Sequence, residues 1–529
     1  MSGDPRENHS EKIHPELQLL SSNLLHHVNI VPFLGFKKDK PFHSLVMPWM
    51  PDGTLTSFMS TNEAVLETAA KATLLHDISS GLEYLHSNLV VHGNLESDNV
   101  LITERHSACI SGFRQSVRLS SRNATCPPSQ MPPKPEIHFT GPEWFDSKDD
   151  QVFQHLPKTL FKSDTYSLGC IMFYVFTIRI PWHDVTSVEI SNRLRKRVTP
   201  SRPEGSIVDD KQWALIEPCL SLRPQKRPFI LDVLNKIKDY LVSIGTPDLT
   251  GQIEKRGNDP ANRGGYGLIY EAIWKRKTGG QVKVAVKVMH FEASRMDQIK
   301  KNLKRELAAW RRLSHMNIVS LLGTTMGFGL IEGMVSPWMK NGSLQKYLDQ
   351  GNDVPLSKRI LWVEDIAEGL KYLHKHPVVH GDLTPCNVLI DDDERAVLTD
   401  FGLSIILGGF TNLSVTYTDA TTGAVAWAAP ELFSDSHDSR GQDPSVPSDV
   451  YSFACLMYLI FTGSHLWNMT GRNAETNIML RVRKGERPSR PDAINDTYWS
   501  LIEQCWDQKP SSRPKISDVL LRLRNINPV

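Results

Sequence analysis

Apolar residues recur at helical spacing in two long stretches of the chain. Leu74, Leu75, Ile78, Leu82 and Leu85 share one stripe of Lys71 to His86. Ile360, Val363, Ile366, Ala367, Leu370 and Leu373 do the same between Ile360 and His374. Steps of three and four residues place such positions on one helix face, so both stretches are read as core helices. Shorter helices are expected over Glu16 to Leu25 and Lys300 to Leu313. Compact or alternating apolar runs suit strands around Phe33, over Leu45 to Trp49, in LIYEA from Leu268 and in VKVAVKVM from Val282. The pattern predicts an α+β protein.

The two long helices belong to a larger repetition. HHVNIVPFLG at His26 recurs as SHMNIVSLLG at Ser314, and MPWMPDGTL at Met47 as SPWMKNGSL at Ser336. GLEYLHSNLVVHGNLESDNVLI at Gly81 recurs as GLKYLHKHPVVHGDLTPCNVLI at Gly369. GPEW and APEL, SDTYSLGC and SDVYSFAC, and QKRPFILDVL and SSRPKISDVL complete the series. The offset, about 288 residues, far exceeds a solenoid period, so one large domain occurs twice in tandem. The boundary is placed in SIGTPDLTG, Ser243 to Gly251, which reads as loop. Domains 1–245 and 246–529 follow.

Composition narrows the class only modestly. The 529 residues are 40% hydrophobic and 22% charged, as in a globular protein too long for one core. A net charge of +1 gives no reason to expect nucleic acid as a partner. The polar start MSGDPRENHSEK does not resemble a signal peptide, and apolar runs such as Cys455 to Phe461 are too short for a membrane span. Seven scattered cysteines form no CxxC pair. A reduced, cytoplasmic protein is expected. The basic run RLRKR at Arg193 to Arg197 has a counterpart, RVRKG, at Arg481, which favours a solvated face over a nuclear-import signal.

The chemistry is concentrated in HGDLTPCNVLI, from His380, and TDFG, from Thr399. Phosphoryl transfer needs a carboxylate to orient the acceptor hydroxyl and hard oxygens to hold Mg²⁺ on the nucleotide. Asp382, Asn387 and Asp400 supply such groups in that order. Upstream, Gly264, Gly265 and Gly267 in NRGGYG form a turn whose bare backbone could close over phosphates. Lys287 alternates onto the face of Ala285, whose small side chain leaves room for an adenine ring.

Together these motifs resemble the protein kinase family, once in nearly complete form and once in part, in a layout similar to the Janus kinases. The resemblance implies two tandem kinase-like domains, each with a helical large lobe, and a complete β-rich small lobe only in the second. It implies ATP and Mg²⁺ as cofactors, a protein substrate, and an intramolecular contact between the domains. Asp382 would be the catalytic base, Asn387 and Asp400 the Mg²⁺ ligands, and Lys287 with Glu306 the phosphate clamp. Asn262, which replaces the first glycine of the phosphate loop, would line the nucleotide site together with Ile269, Ala285, Ser336 and Met339. Glu431 with Arg513, and Asp449, would be structural, since Glu143, Arg227 and Asp164 repeat them.

Departures from the family pattern are as informative. In the first copy Asn94 stands where the second has Asp382, and Gly112 where it has Asp400, so that copy reads as a degenerate pseudokinase. Its CPPSQMPPKPE stretch reads as a stiff, extended loop. In the second copy Gly381 replaces an arginine common in the family, and Thr384 and Ala424 replace the Lys and Thr of serine/threonine kinases. Serine/threonine or tyrosine specificity is therefore open at this point. The rival reading is a pair of interaction modules, the second at most binding nucleotide.

Overall fold

The computed structural model describes residues 25, 27–38, 43–104, 106–120, 137–145, 157–205, 207–257, 259–264, 267–289, 303, 307, 310–311, 313–351, 353–401, 424–433, 443–467, 473–492 and 494–526. The predicted helix from Glu16, the proline-rich stretch from Cys126, Gly265, Glu306 and Gly402 lie outside them. Apart from the turn Lys277–Gly280, the chain divides into two compact units between Gly245 and Thr246.

In the first unit, strands β1 (Gly35–Lys38) and β2 (His43–Val46) form a hairpin, followed by helices α1 (Leu55–Asn62) and α2 (Thr68–Ser87). Short antiparallel pairs then join β3 (Val90–Val91) to β6 (Val117–Arg118) and β4 (Val100–Ile102) to β5 (Ala108–Ile110). Helices α3 (Pro157–Thr177), α4 (Ser187–Arg195), α5 (Asp210–Cys219) and α6 (Ile230–Ser243) complete it. The predicted stripe of α2 is fully buried and packs with Leu168, Ile171 and Met172 of α3 in one core. The basic run ends α4, where Arg195, Lys196 and Arg197 are exposed and complement the C-terminal end of the helix dipole.

The second unit begins with a six-stranded antiparallel sheet. It comprises β7 (Ile253–Lys255), β8 (Asn262–Gly264), β9 (Gly267–Lys275), β10 (Gln281–Met289), β11 (Gly323–Thr325) and β12 (Gly333–Pro337). The order is β11-β12-β10-β9-β7, with β8 also paired to β9. Alternation along β10 buries Val284, Val286 and Val288 on one face and leaves Ala285 and Lys287 on the other. Leu303, Leu307 and Trp310 occupy helical positions and are buried at the spacing of one helix face.

Helices α7 (Leu344–Asp349) and α8 (Leu356–Lys375), hairpin strands β13 (Val388–Ile390) and β14 (Ala396–Leu398), and helices α9 (Val446–Thr462), α10 (Ala474–Arg483), α11 (Asp496–Cys505) and α12 (Ile516–Ile526) make the larger part. Among the predicted positions of α8, Val363, Ile366, Ala367, Leu370 and Leu373 are fully buried, and Ile360 packs against the same core. This face docks against α9, a helix buried along nearly its whole length.

A carboxylate on α8 is expected to give the second unit a pH-dependent stability. Asp365 accepts a hydrogen bond from the Ala396 amide at 3.0 Å, as Asp77 does from Ala108 at 3.1 Å in the first unit. Burial nevertheless pushes the Asp365 carboxyl up to about 6 from an ordinary 3.8. The folded state therefore prefers the protonated acid. The stabilisation is fully present below pH 3.8 and is lost as pH rises through about 6. Linkage makes it on the order of 3 kcal/mol. Asp365→Asn, which keeps an acceptor for the amide, is expected to flatten that part of the stability–pH curve in denaturant titrations.

Candidate active site

The loop between α8 and β13 is shaped from beneath by Asp449, at the buried start of α9. Its Oδ2 accepts from the His380 amide at 2.9 Å and its Oδ1 from the Gly381 amide at 2.8 Å. His374 Nε2 lies 2.9 Å from the same Oδ2. Gly381 has φ +77°, a left-handed backbone that glycine adopts without a steric cost. An arginine here would carry that strain, which gives the sequence departure a local physical reason. The first unit repeats the device: Asp164 accepts from His92 and Gly93, both at 2.9 Å, and His86 Nε2 stands 2.9 Å away. His374 was not among the sequence candidates, although its recurrence in GLEYLH and GLKYLH was a usable signal.

So held, the loop brings three of the candidate residues together. Asn387 Nδ2 donates to the Asp382 backbone oxygen at 2.8 Å and to its Oδ2 at 2.9 Å. The Asn387 carbonyl accepts from the Thr399 amide at 3.0 Å, which ties the loop to the residue before Asp400. Asp400 itself has φ +59°, strained for a residue with a side chain, though aspartate tolerates it better than most. Burial, first, and the Asp400 charge raise the Asp382 carboxyl above its ordinary range, with His380, Asn387 and Lys287 opposing. Burial also holds the His380 imidazole below its usual value, despite Asp449 and Asp382 nearby.

Lys287 reaches the same place from β10. Its Nζ lies 2.6 Å from Asp400 Oδ1, in a charge contact that is not aligned as a hydrogen bond, and the side chain is only 11% exposed. Ser336 stands directly across from Ala285 in the β10–β12 register. Both side chains are small and lie on the strand face that carries Lys287. Asn262 pairs with Ile269 in extended strand, so its position makes no demand for glycine, and Gly264 pairs with Gly267. Met339 follows β12, its carbonyl accepting from the Gly342 amide at 3.1 Å. Thr384 and Ala424 line one small cavity with Asp382, closed by Trp427 and Ser448.

These residues fit a magnesium nucleotide. Asn387 and Asp400 are hard oxygen donors, and the described residues hold no group of three or more His, Cys, Asp or Glu that could cage a metal alone. Two protein ligands completed by phosphates and water is a usual arrangement for Mg²⁺. The buried ammonium of Lys287 is the matching partner for phosphate oxygens.

The first unit has the same backbone and different chemistry. Asn99 Nδ2 donates to the Asn94 carbonyl and to Glu96 Oε1, each at 2.9 Å. Asn94 Nδ2 donates to Glu96 Oε1 at 3.2 Å. Gly112 has φ +77°, and a Cβ added there would collide with the Asn99 side chain. A side chain at the position of Gly112 therefore has no room beside Asn99 as it stands.

This geometry coincides with a family. The model of protein tyrosine and serine/threonine kinases matches the chain twice, over residues 1–237 and 258–523, and the chain belongs to that family. It is a tandem kinase-like protein. Its relatives include the RGS domain-containing serine/threonine-protein kinase A of Dictyostelium discoideum, 32% identical over 274 residues, which are 50% of this chain and 22% of that protein. Receptor-interacting serine/threonine-protein kinase 3 of Rattus norvegicus is 30% identical over 307 residues, 55% of this chain and 60% of that protein. The dual specificity protein kinase pyk3 of Dictyostelium discoideum is 23% identical over 488 residues, 85% of this chain and 33% of that protein. The matches span between about a fifth and three fifths of these relatives. No helix among the described residues is long and apolar enough to cross a membrane.

Proposed function

We propose that residues 246–529 form a catalytic protein kinase domain of a cytoplasmic protein, which transfers the γ-phosphate of ATP to a serine, threonine or tyrosine hydroxyl of a protein substrate. Residues 1–245 form a pseudokinase domain with a regulatory or binding role. The observation that carries this reading is the convergence of Asp382, Asn387, Asp400 and Lys287, set against Asn94, Asn99 and Gly112 on the same backbone. Bound Mg·ATP supplies the transferable phosphoryl group and part of the charge that neutralises it. Asp382 orients the acceptor hydroxyl and takes its proton. Asn387 and Asp400 would hold the metal, and Lys287 would supply the positive charge for phosphate oxygens. Glu306 is assigned to the clamp from its place nine residues before His315, where the family pattern has a glutamate that pairs with the strand lysine.

A second reading, an ATP-binding scaffold without turnover, is favoured by Thr384 and Ala424. They take from the cavity beside Asp382 the lysine and threonine that stabilise transfer in serine/threonine members. Labelled phosphate transfer from Mg·ATP by the full chain, beside Asp400→Asn, separates the two. Label in the parent and none in the variant is the expected result. A nucleotide-dependent melting shift without label would make the second unit a scaffold, and neither response would remove the nucleotide site altogether.

A further inference from the structure

The segment joining the units, which reads as loop in the sequence, is pinned to the sheet. Leu249 N donates to the Thr324 carbonyl at 2.8 Å, and Thr324 N donates to the Pro247 carbonyl at 2.8 Å, a parallel bridge along β11. The Met326 amide donates to Thr250 Oγ1 at 3.0 Å. The edge of the sheet at β11 is thus covered by chain rather than left open. Leu249 is 4% exposed and packs in one cluster with Val284, Val286, Val288 and Val335.

The β11 strand leaves no room for a side chain where the segment crosses it. A Cβ added to Gly323 would lie 2.7 Å from the Pro247 oxygen and 2.8 Å from Leu249 Cγ. Its counterpart Gly35 in the first unit has nothing described within 4 Å, and the neighbouring Leu34 and Phe36 are exposed. At Gly323 no side chain would fit beside this segment. Only Gly245 and Thr246 separate Pro247 from Ile244, which packs on the core of the first unit.

We propose that Pro247–Thr250 is a positioning strap for the nucleotide site, with Leu249 as its anchor. By filling the valine face of β10, Leu249 holds the strand on whose opposite face Lys287 reaches Asp400. The inference rests on reading Lys287 and Asp400 as nucleotide and metal residues. Leu249 touches no reacting atom, and its effect is on where Lys287 stands.

The test uses the full chain and Mg·ATP as probe, at a temperature well below melting. Leu249→Ala is expected to weaken Mg·ATP binding about five- to tenfold. Coupling is reciprocal, so Mg·ATP must also slow hydrogen exchange at the Thr324 and Leu249 amides of the parent. That second measurement needs no variant, and Leu249→Val serves if the alanine chain does not fold. A dissociation constant unchanged in the variant, with only the melting temperature lowered, would overturn the proposal and leave Leu249 as simple core. Exchange at Thr324 indifferent to Mg·ATP would overturn it equally. A parent that binds no Mg·ATP would instead remove the nucleotide reading itself, and the strap with it.

Discussion

Asp382→Asn in the full chain is expected to lower phosphate transfer by about a thousandfold while leaving Mg·ATP binding within about threefold of the parent. The amide can still accept at the position of Oδ2, where Asn387 Nδ2 donates at 2.9 Å, so the loop has no reason to refold. What is lost is the negative charge proposed to take the acceptor proton. The pH profile adds an independent mark. Burial, first, raises the Asp382 carboxyl, and transfer requires it ionised. Activity therefore falls as pH falls through that raised pKa, and the acidic limb lies above the range of an ordinary aspartate. Initial rates across pH, at saturating Mg·ATP, measure both. A variant with parental rates, or a profile flat down to the ordinary carboxylate range, would take the base role away from Asp382.

The contrast between the two units explains why much of this was legible in the sequence. Local spacing carries local structure. The stripe of Leu74 to Leu85, and five buried positions from Val363 to Leu373, fix two core helices through packing that three- and four-residue steps report directly. Asp382 and Asn387 are five residues apart on one short loop, so their meeting is a local matter too. Asp400 comes near because β13 and β14 form a tight hairpin.

Longer-range features were not legible for an equally physical reason. The contact of Lys287 with Asp400 depends on how the small sheet sits over the hairpin, and no local pattern encodes that. Asp365 looks like any helix carboxylate until the strand carrying Ala396 covers it. Leu249, in a stretch rich in Gly and Pro signals, declares itself only through Gly323, seventy-odd residues on, as a place where no side chain fits. Gly381 reads as a loss of arginine, and only its backbone angle shows that glycine adopts this turn at the lowest steric cost.

The largest stability loss is expected at the pair that both units keep. Arg513 Nη1 and Nη2 donate to the two Glu431 carboxylate oxygens at 2.6 and 2.8 Å, and Nη1 also donates to the Pro447 carbonyl at 3.0 Å. Arg227 and Glu143 repeat the fork at 2.7 Å on both arms, with Ser163 donating to Glu143 as well. Burial pushes the Glu143 carboxyl up, but Arg227 and Ser163 outweigh it and hold it below its ordinary value. Removing one partner leaves the other charge buried without compensation, which costs about 3–5 kcal/mol. Arg513→Ala should therefore lower the second unit's stability by that amount, read in denaturant titrations with the first unit's transition as internal reference. Replacing both partners, Glu431→Leu with Arg513→Met, removes both buried charges and should cost less than either single change. That ordering separates a desolvated pair from an exposed one, for which the double change would cost no less than the singles. Since Glu431 follows the turn Ala424–Trp427 that walls the cavity beside Asp382, the same single change should also lower phosphate transfer. Arg227→Ala should destabilise only the first unit.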